Sequence, residues 1–533
     1  MNRSVVRTAV LLVASMALVQ ACRKDPEPPS WDLDVTAPLV KTSLTISDLL
    51  PDSVLSTDGD GNVSILFTSE LFALSLDTVL NVPDTSFQYA YAIPVPGPIA
   101  IQPGVTFNTS DNVTHFDLED LSLSELIVRS GQVDIAVTNM MNGDLIGNFS
   151  LPGATLNGVP FAAVQPLQPG TPANPSITQT SRSLDGYVFD MTGPDHNAVN
   201  TLATHLSYSS NPNGEAFNIT NQDSTLSKVS YHDIIAQYAT GSFGTRTIQV
   251  DSTSSDLGLF DNITGSLSLD EVTAQLQIHN GIGVDAQAHV HYIRSVNSNT
   301  GNTIDLNAPI TNGPVNLDRA LDLNGSFQSA LNTFDMNAGN SNVKPFVENL
   351  PSQIEYAMDV TINPLGDISN GHDFFYYDSK LIADLLIDIP LRLAATDLTL
   401  QKTIAVALPG SADHHSVHCG TLHLFANNGF PFSAVLDLVI VDEQGNVLSD
   451  LTSGQTIASG ILGPDGIVSA SAPTQLDMQV SPEQVDLFHN GGRLRITAVF
   501  NTADQPQHVQ LRSNYSLDLQ LTTDANYIVN GDR

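Results

Sequence analysis

The sequence predicts an all-β fold of tandem β-sandwich regions with minor helix. Three observations lead there. First, only 14% of the 533 residues are charged, and 56 acidic side chains stand against 19 basic ones. The acidic set is 46 Asp and 10 Glu, with 6 Lys, so the residues that build long exposed helices are scarce. Turn formers such as Asp, Asn, Ser, Thr and Gly take their place. Second, hydrophobic residues make up 41%, enough for packed cores. Third, apolar residues recur with period two. Val133, Ile135 and Val137 alternate with polar neighbours, as do Ala274, Leu276 and Ile278, and Ile354 through Ile362. Such strands bury one face and wet the other. The net charge of −37 argues against a nucleic-acid partner, whose phosphates would be repelled.

Residues 1–21 read as a signal peptide. Arg3 and Arg7 precede the apolar run A-V-L-L-V-A-S-M-A-L-V at 9–19, which is too short and too early to be a spanning helix. The run closes on Val19-Gln20-Ala21-Cys22. This ending resembles the lipobox of bacterial lipoproteins, although Gln20 stands where a small residue is commoner. Arg23-Lys24-Asp25-Pro26-Glu27 resembles the charged export tag of Bacteroidota outer-membrane lipoproteins. The resemblance implies cleavage before Cys22, acylation of Cys22, and a place at the outer membrane facing the cell exterior. Acyl chains anchor at about 0.8 kcal/mol per buried CH₂. Residues 22–37 then form a tether, with Pro26, Pro28 and Pro29 favouring an extended spacer. Acylation of Cys22 leaves Cys419 as the remaining thiol, so no intramolecular disulfide is available and the cores rest on hydrophobic burial.

Beyond the tether the sequence suggests β-sandwich regions at 38–175 and 176–340, a β-rich region at 341–410 and a C-terminal β-sandwich at 411–533. Pro166 to Pro175 and Met336 to Asn342 are the clearest loop or linker candidates. A local pattern recurs: an alternating strand ends on Asn, the chain turns, and a second strand leaves. It occurs at Asn139, Asn280, Asn363 and Asn428, with Leu-x-Leu segments upstream at Leu121/Leu123, Leu267/Leu269 and Leu398/Leu400. This layout resembles the β-sandwich of late-embryogenesis-abundant proteins and, more broadly, Ig-like and fibronectin-like sandwiches. Only Asn363-Pro364 matches the first family's Asn-Pro pair; Met140 follows Asn139, and glycine follows Asn280 and Asn428. Two segments have helix-like spacing, 230–238 and 378–387, the second of which reads equally well as a buried strand running to Pro390.

Candidate chemistry is sparse. Asp413-His414-His415-Ser416-Val417-His418-Cys419, with His423, gathers the ligand types of zinc. On one straight strand His414 and His418 would face opposite Cys419 and His423, so convergence needs a turn. The competing reading is a polar loop leading into a strand. His289 and His291 lie at i and i+2, where they either chelate a metal or simply form the wet face opposite Ala288, Val290 and Tyr292. Asp58-Gly59-Asp60-Gly61-Asn62 opens like a calcium loop, but Val63 and Ser69 occupy the positions that need Gly and Glu, which favours a hairpin turn. Phe374-Phe375-Tyr376-Tyr377 reads as a strand with core and surface rings alternating, or as a ligand platform. No G-x-S-x-G, H-E-x-x-H or P-loop motif is present.

These features favour a lipid-anchored envelope protein acting as a non-enzymatic scaffold or binding module, with no catalytic residues. No cofactor is called for, with calcium or zinc as the alternative. The expected partners are the membrane, through the N-terminal anchor, and another envelope protein or a glycan. A surface hydrolase or metal-binding protein is the second reading. A hydrophobic-ligand carrier with a groove near 381–393 is the third.

Overall fold

Alternation sets the strand faces. In the computed structural model, Gln353–Ile362 buries Ile354, Tyr356, Met358, Val360 and Ile362 and leaves the intervening side chains half-exposed. Among the described residues strands account for 63% and helix for 5%, so the protein is all-β with minor helix. The structure describes residues 30–530 apart from 49, 76–79, 81, 95, 259, 261–262, 407–414, 465 and 503–506; for 30–35, 415–419 and 525–530 it describes the backbone. Among the described residues no helix is long and apolar enough to cross a membrane.

The chain forms two compact units, each discontinuous in sequence. Of the described residues, one contains those up to Ile65, those within 259–270 and those from Pro390 on; the other contains those within 66–258 and 271–389. The sequence limits at 175, 340 and 410 are not limits of these units. Strand Ser122–Asn139 pairs with Ser224–Ser242, and Thr273–Asn280 pairs with Lys380–Pro390. Local composition does not register pairing between strands about a hundred residues apart. In the proline-rich segment 166–175, Pro166 and Leu167 end the strand Val159–Leu167, and 168–175 form a short loop to Ser176–Ser183, closed by reciprocal bonds between Thr171 and Asn174 at 3.0 Å.

In the first unit a four-stranded antiparallel sheet runs in the order Ser30–Thr45, Ser516–Asn530, His415–Asn428, Ala472–Val480. A second runs Leu398–Ala405, Arg493–Thr502, Phe432–Val441, Val447–Ile457. Residues 429–431 carry the chain between them, and the Phe430 ring meets Phe500 at 5.5 Å and Tyr515 at 6.4 Å, both edge-on. The helix Pro482–His489 follows a capping box in which Ser481 and Gln484 exchange hydrogen bonds. The second unit holds a ten-stranded antiparallel sheet centred on Ser122–Asn139 and Ser224–Ser242. It also holds a five-stranded sheet in which Gln353–Ile362 lies between Arg246–Asp256 and Ala286–Val296.

The recurring asparagines are buried corner braces. Asn139, Asn280 and Asn428 are 0% exposed, and each accepts a hydrogen bond from the backbone N–H two residues on, at 2.9–3.0 Å. Each side-chain amide donates to backbone carbonyls elsewhere: Asn139 to Gln168, Asn280 to Asp318, Asn428 to Phe432 and Ala458. Asn363 differs. Its φ is 47°, and its amide donates to the Asp373 carboxylate at 2.7 Å. In each case the chain turns out of one strand while its backbone groups stay satisfied.

Both helix-like segments are strands. Residues 230–238 belong to Ser224–Ser242, which slips register between His232 and Ile235 and again before Tyr238. Asp233 takes a left-handed φ of 55° there. These bulges break period-two alternation and bring apolar residues into helix-like spacing. Lys380–Pro390 is the alternating buried strand, ending at the proline.

Candidate functional site

Of the sequence candidates, Cys22 and His414 lie outside the described residues, and so do the side chains of His418 and Cys419. The backbone places residues 415–428 on one strand with a bulge between Val417 and Cys419. That bulge is the irregularity that a straight strand lacks. His423 is described, and both its ring nitrogens are engaged: Nδ1 meets Asp477 Oδ1 at 2.6 Å and Nε2 meets Asp524 Oδ2 at 3.1 Å. Thr36 donates to the far oxygen of Asp524 at 2.5 Å, and Gln475 donates to Asp477 at 2.9 Å. The result is a polar ladder across all four strands of the sheet.

This ladder makes stability depend on pH. The Asp477 hydrogen bond raises the His423 pKa above its ordinary 6.5, slight burial opposes it, and Asp524 reinforces it. Asp477 is held below 3.8 chiefly by His423, and Asp524 chiefly by Thr36 and then His423. The raised histidine stabilises fully below its unfolded value and loses its effect as pH climbs through the folded one. The lowered aspartates stabilise above their unfolded values and lose their effect as pH falls through the folded ones. All three favour folding together between about pH 4 and 6.5. Urea midpoints measured from pH 6 to 9 are expected to fall more for the native protein than for His423→Gln. Identical slopes would refute the ladder.

The calcium-like loop is closed on itself. Asp58 Oδ1 accepts from the backbone of Asp60 and Asn62, and Oδ2 accepts from the Asn62 amide, all at 2.9 Å. Asp442 and Asn446 repeat the same turn at 2.8–2.9 Å. The Asn62 hydrogen bonds lower the Asp58 pKa.

The aromatic run does not alternate. Asp373, Phe374, Phe375 and Tyr376 are all buried, because Phe374 and Tyr376 pack with Ala320 on one face and Phe375 packs against Phe243 on the other; Tyr377 is exposed beneath the Arg129 guanidinium, 3.8 Å from its ring centre. Phe374 and Tyr376 form a small core with Ala320, against which Tyr238 and Phe327 pack. Asp322 lies at its edge and accepts from Tyr376 at 2.7 Å and from Tyr238 at 2.8 Å. Burial pushes the Asp322 carboxyl up, but the Tyr376, Asn324 and Tyr238 donors outweigh it and leave it below its ordinary value. Burial, with Asp322 beside them, raises both phenols. Asp373 is fully buried, held by the Asn363 amide and an Arg319 guanidinium nitrogen at 3.4 Å. Both Asp322 oxygens accept from protein donors, whereas Asp373 satisfies Oδ2 through Asn363 and leaves its buried Oδ1 in ion-pair contact with Arg319 but without a hydrogen bond.

Along the stretch proposed for a hydrophobic ligand, Leu381, Ala383, Leu385 and Ile389 are buried in the protein's own core. A groove of about 590 Å³ opens at the end of the same strand, lined by Leu66, Phe67, Asp335, Leu386, Ile387 and Asp388 among others. Burial, then Glu271, raises the Asp388 pKa.

The structure gathers one chemically suggestive set that the sequence held only in part. His289 and His291 stand on Ala286–Val296, and Asp359 on the neighbouring strand lies directly opposite His289. His291 Nε2 is 2.9 Å from Asp359 Oδ2, and the two imidazole rings are 4.6 Å apart. One ligand atom from each residue lies within 4.8 Å of the others. A bulge between Val290 and Tyr292 leaves His291 as the extra residue. Tyr292 is therefore on the outer side, bonded to Ser252 at 2.7 Å, and Ile293 takes the core position the sequence reading gave to Tyr292. Asp359 carried no signal in the sequence beyond being the polar member of an alternating strand.

No family model matches the chain, and no curated protein matches it. Among solved structures, a presumed secreted protein from Parabacteroides distasonis is 12% identical, with 54% of this chain and 83% of that one covered, at a TM-score of 0.24. The VP54 protein of PBCV-1, fitted into a cryo-EM reconstruction of the virophage Sputnik, is 10% identical over 54% of this chain and 94% of that one, at a TM-score of 0.12. Neither likeness is close enough to carry function across.

Proposed function

We propose that this chain is a lipid-anchored outer-membrane protein, facing the cell exterior, that works as a non-enzymatic scaffold or binding module. The observation that carries this reading is the run from Val19 to Cys22, followed by a charged, proline-rich stretch that leads into the strand beginning at Ser30. That strand is hydrogen-bonded along its length to Ser516–Asn530, with Ser30 opposite Asn530. Force or position imposed at an acylated Cys22 is thereby passed to a sheet through a few residues. An acidic body, at −37 overall, is repelled by anionic headgroups and stands away from the bilayer. Engagement of another envelope protein or a glycan would then fall to sheet faces and loops.

Mass spectrometry of the mature protein is expected to find an acylated Cys22 at the new amino end, and Cys22→Ser is expected to move the protein from the membrane to the soluble fraction. A mature chain starting elsewhere, or membrane retention of the serine variant, would overturn the anchor. Protease treatment of intact cells then decides the leaflet: degradation supports surface display, and protection refutes it.

A further inference from the structure

We propose that His289, His291 and Asp359 form a binding site for a divalent transition metal ion of the zinc and copper class. The donor set is two imidazoles and one carboxylate, a combination that zinc and copper accept and that magnesium and calcium, which seek all-oxygen shells, do not.

Three structural features support a built site. The register sets His289 and Asp359 opposite each other on adjacent strands of the five-stranded sheet, which fixes two donors at cross-strand distance. His291, two residues on, shares the outer face with His289 by ordinary alternation and supplies the third donor, its Nε2 reaching Asp359 Oδ2 at 2.9 Å; the bulge that follows turns Tyr292 outward beside it. Ala357, opposite the bulge, offers only a methyl group, so nothing larger on that strand competes for the space. The strand on the other side of Gln353–Ile362 also slips register, between Val250 and Thr253, so both neighbours bulge beside the same stretch of the central strand.

The geometry suits closure around an ion. Metal–nitrogen distances near 2.0–2.1 Å place tetrahedral donors about 3.3 Å apart. Donor atoms already within 4.8 Å of one another need only side-chain rotation to reach that spacing. His291 is exposed and His289 and Asp359 are half-exposed, so the rings can turn and an ion can enter without opening the core. Three protein donors leave a fourth position for water or for a donor from a bound partner. This inference stands independently of the lipid anchor.

The test is calorimetric titration of Zn²⁺ into the full mature protein, in excess Ca²⁺ and Mg²⁺ to saturate the acidic surface, repeated with His291→Ala, Asp359→Asn and the combined His414→Ala/His418→Ala/Cys419→Ser variant. One equivalent is expected to bind, weakened by about tenfold or more in each of the first two variants and unchanged in the third. Copper(II) spin resonance is expected to report two ring nitrogens in the native protein and one in His291→Ala. Equal affinity in native protein and His291→Ala, or loss of the ion only in the combined variant, would overturn the proposal. Circular dichroism of each variant confirms that the fold is retained, and His291, being exposed, is the position least able to disturb it.

Discussion

Asn428→Ala is expected to destabilise its unit by about 3–5 kcal/mol. Asn428 is wholly buried, and its side chain holds three backbone groups: it donates to Phe432 O at 2.8 Å and Ala458 O at 2.9 Å, and accepts from Phe430 N–H at 2.9 Å. Alanine replaces none of these. Each buried polar group left without a partner costs about 1–3 kcal/mol; Phe432 O and Phe430 N–H are such groups, beside the packed Phe430, Phe432 and Phe500 rings, while the Ala458 carbonyl belongs to an exposed residue and can turn to water. A loss of that size stands well outside the usual range for single substitutions. Urea unfolding followed by circular dichroism measures it. Asn427→Ala, one residue away and exposed, is the control and is expected to change stability by about 0.5 kcal/mol or less. Comparable losses in the two variants would show that the corner brace carries no special weight. Asn139 also holds three backbone groups, so Asn139→Ala should behave like Asn428→Ala, while Asn280 holds two and its alanine variant should cost less.

These corners show how far the sequence can be read. Period two alone located the strands around 133–137, 274–278 and 354–362, because each buries one face and the pattern needs no knowledge of a partner. The asparagines were visible as strand ends. Their role was not, since the carbonyls they brace lie about thirty residues away, as Gln168 does from Asn139 and Ala458 from Asn428. Bulges were the systematic blind spot. A bulge is defined by two residues opposing one on another strand, so a single chain segment does not announce it. At 232–238 that produced a helix-like pattern inside a strand, and at 290–292 it turned Tyr292 outward. The candidate metal site suffered from the same limit. His289 and His291 could be paired by spacing, whereas Asp359 comes from a strand whose register only the fold supplies. Unit limits were equally illegible, because both units are assembled from segments distant in sequence.

Gly283→Ala tests a different kind of constraint, one of space rather than hydrogen bonding. Gly283 and Phe374 bond to each other across a short bridge, with N···O distances of 3.0 and 3.2 Å, and the Phe374 ring lies close against the glycine. A Cβ at Gly283 would fall into that ring, against Cδ1, Cε1 and Cγ. The ring has little freedom to move. It is 5% exposed and packs edge-on against Tyr376 at 5.9 Å, within the core that also holds Ala320. Arg319 adds a further clamp, donating to Gly283 O and to His372 O, the latter at 2.9 Å. Overpacking in such a site costs about 1–3 kcal/mol, and the upper end applies here because the obstacle is a rigid ring rather than a flexible side-chain end. Gly97→Ala, where the new Cβ meets nothing within 4 Å, is expected to be neutral or slightly stabilising. The decisive measurement is a double-mutant cycle. Phe374→Leu creates room as well as a loss of its own, so Gly283→Ala should cost less by about 1 kcal/mol in the leucine background than in the native one. Strict additivity would mean that the close approach of backbone and ring is not what excludes a side chain from this corner.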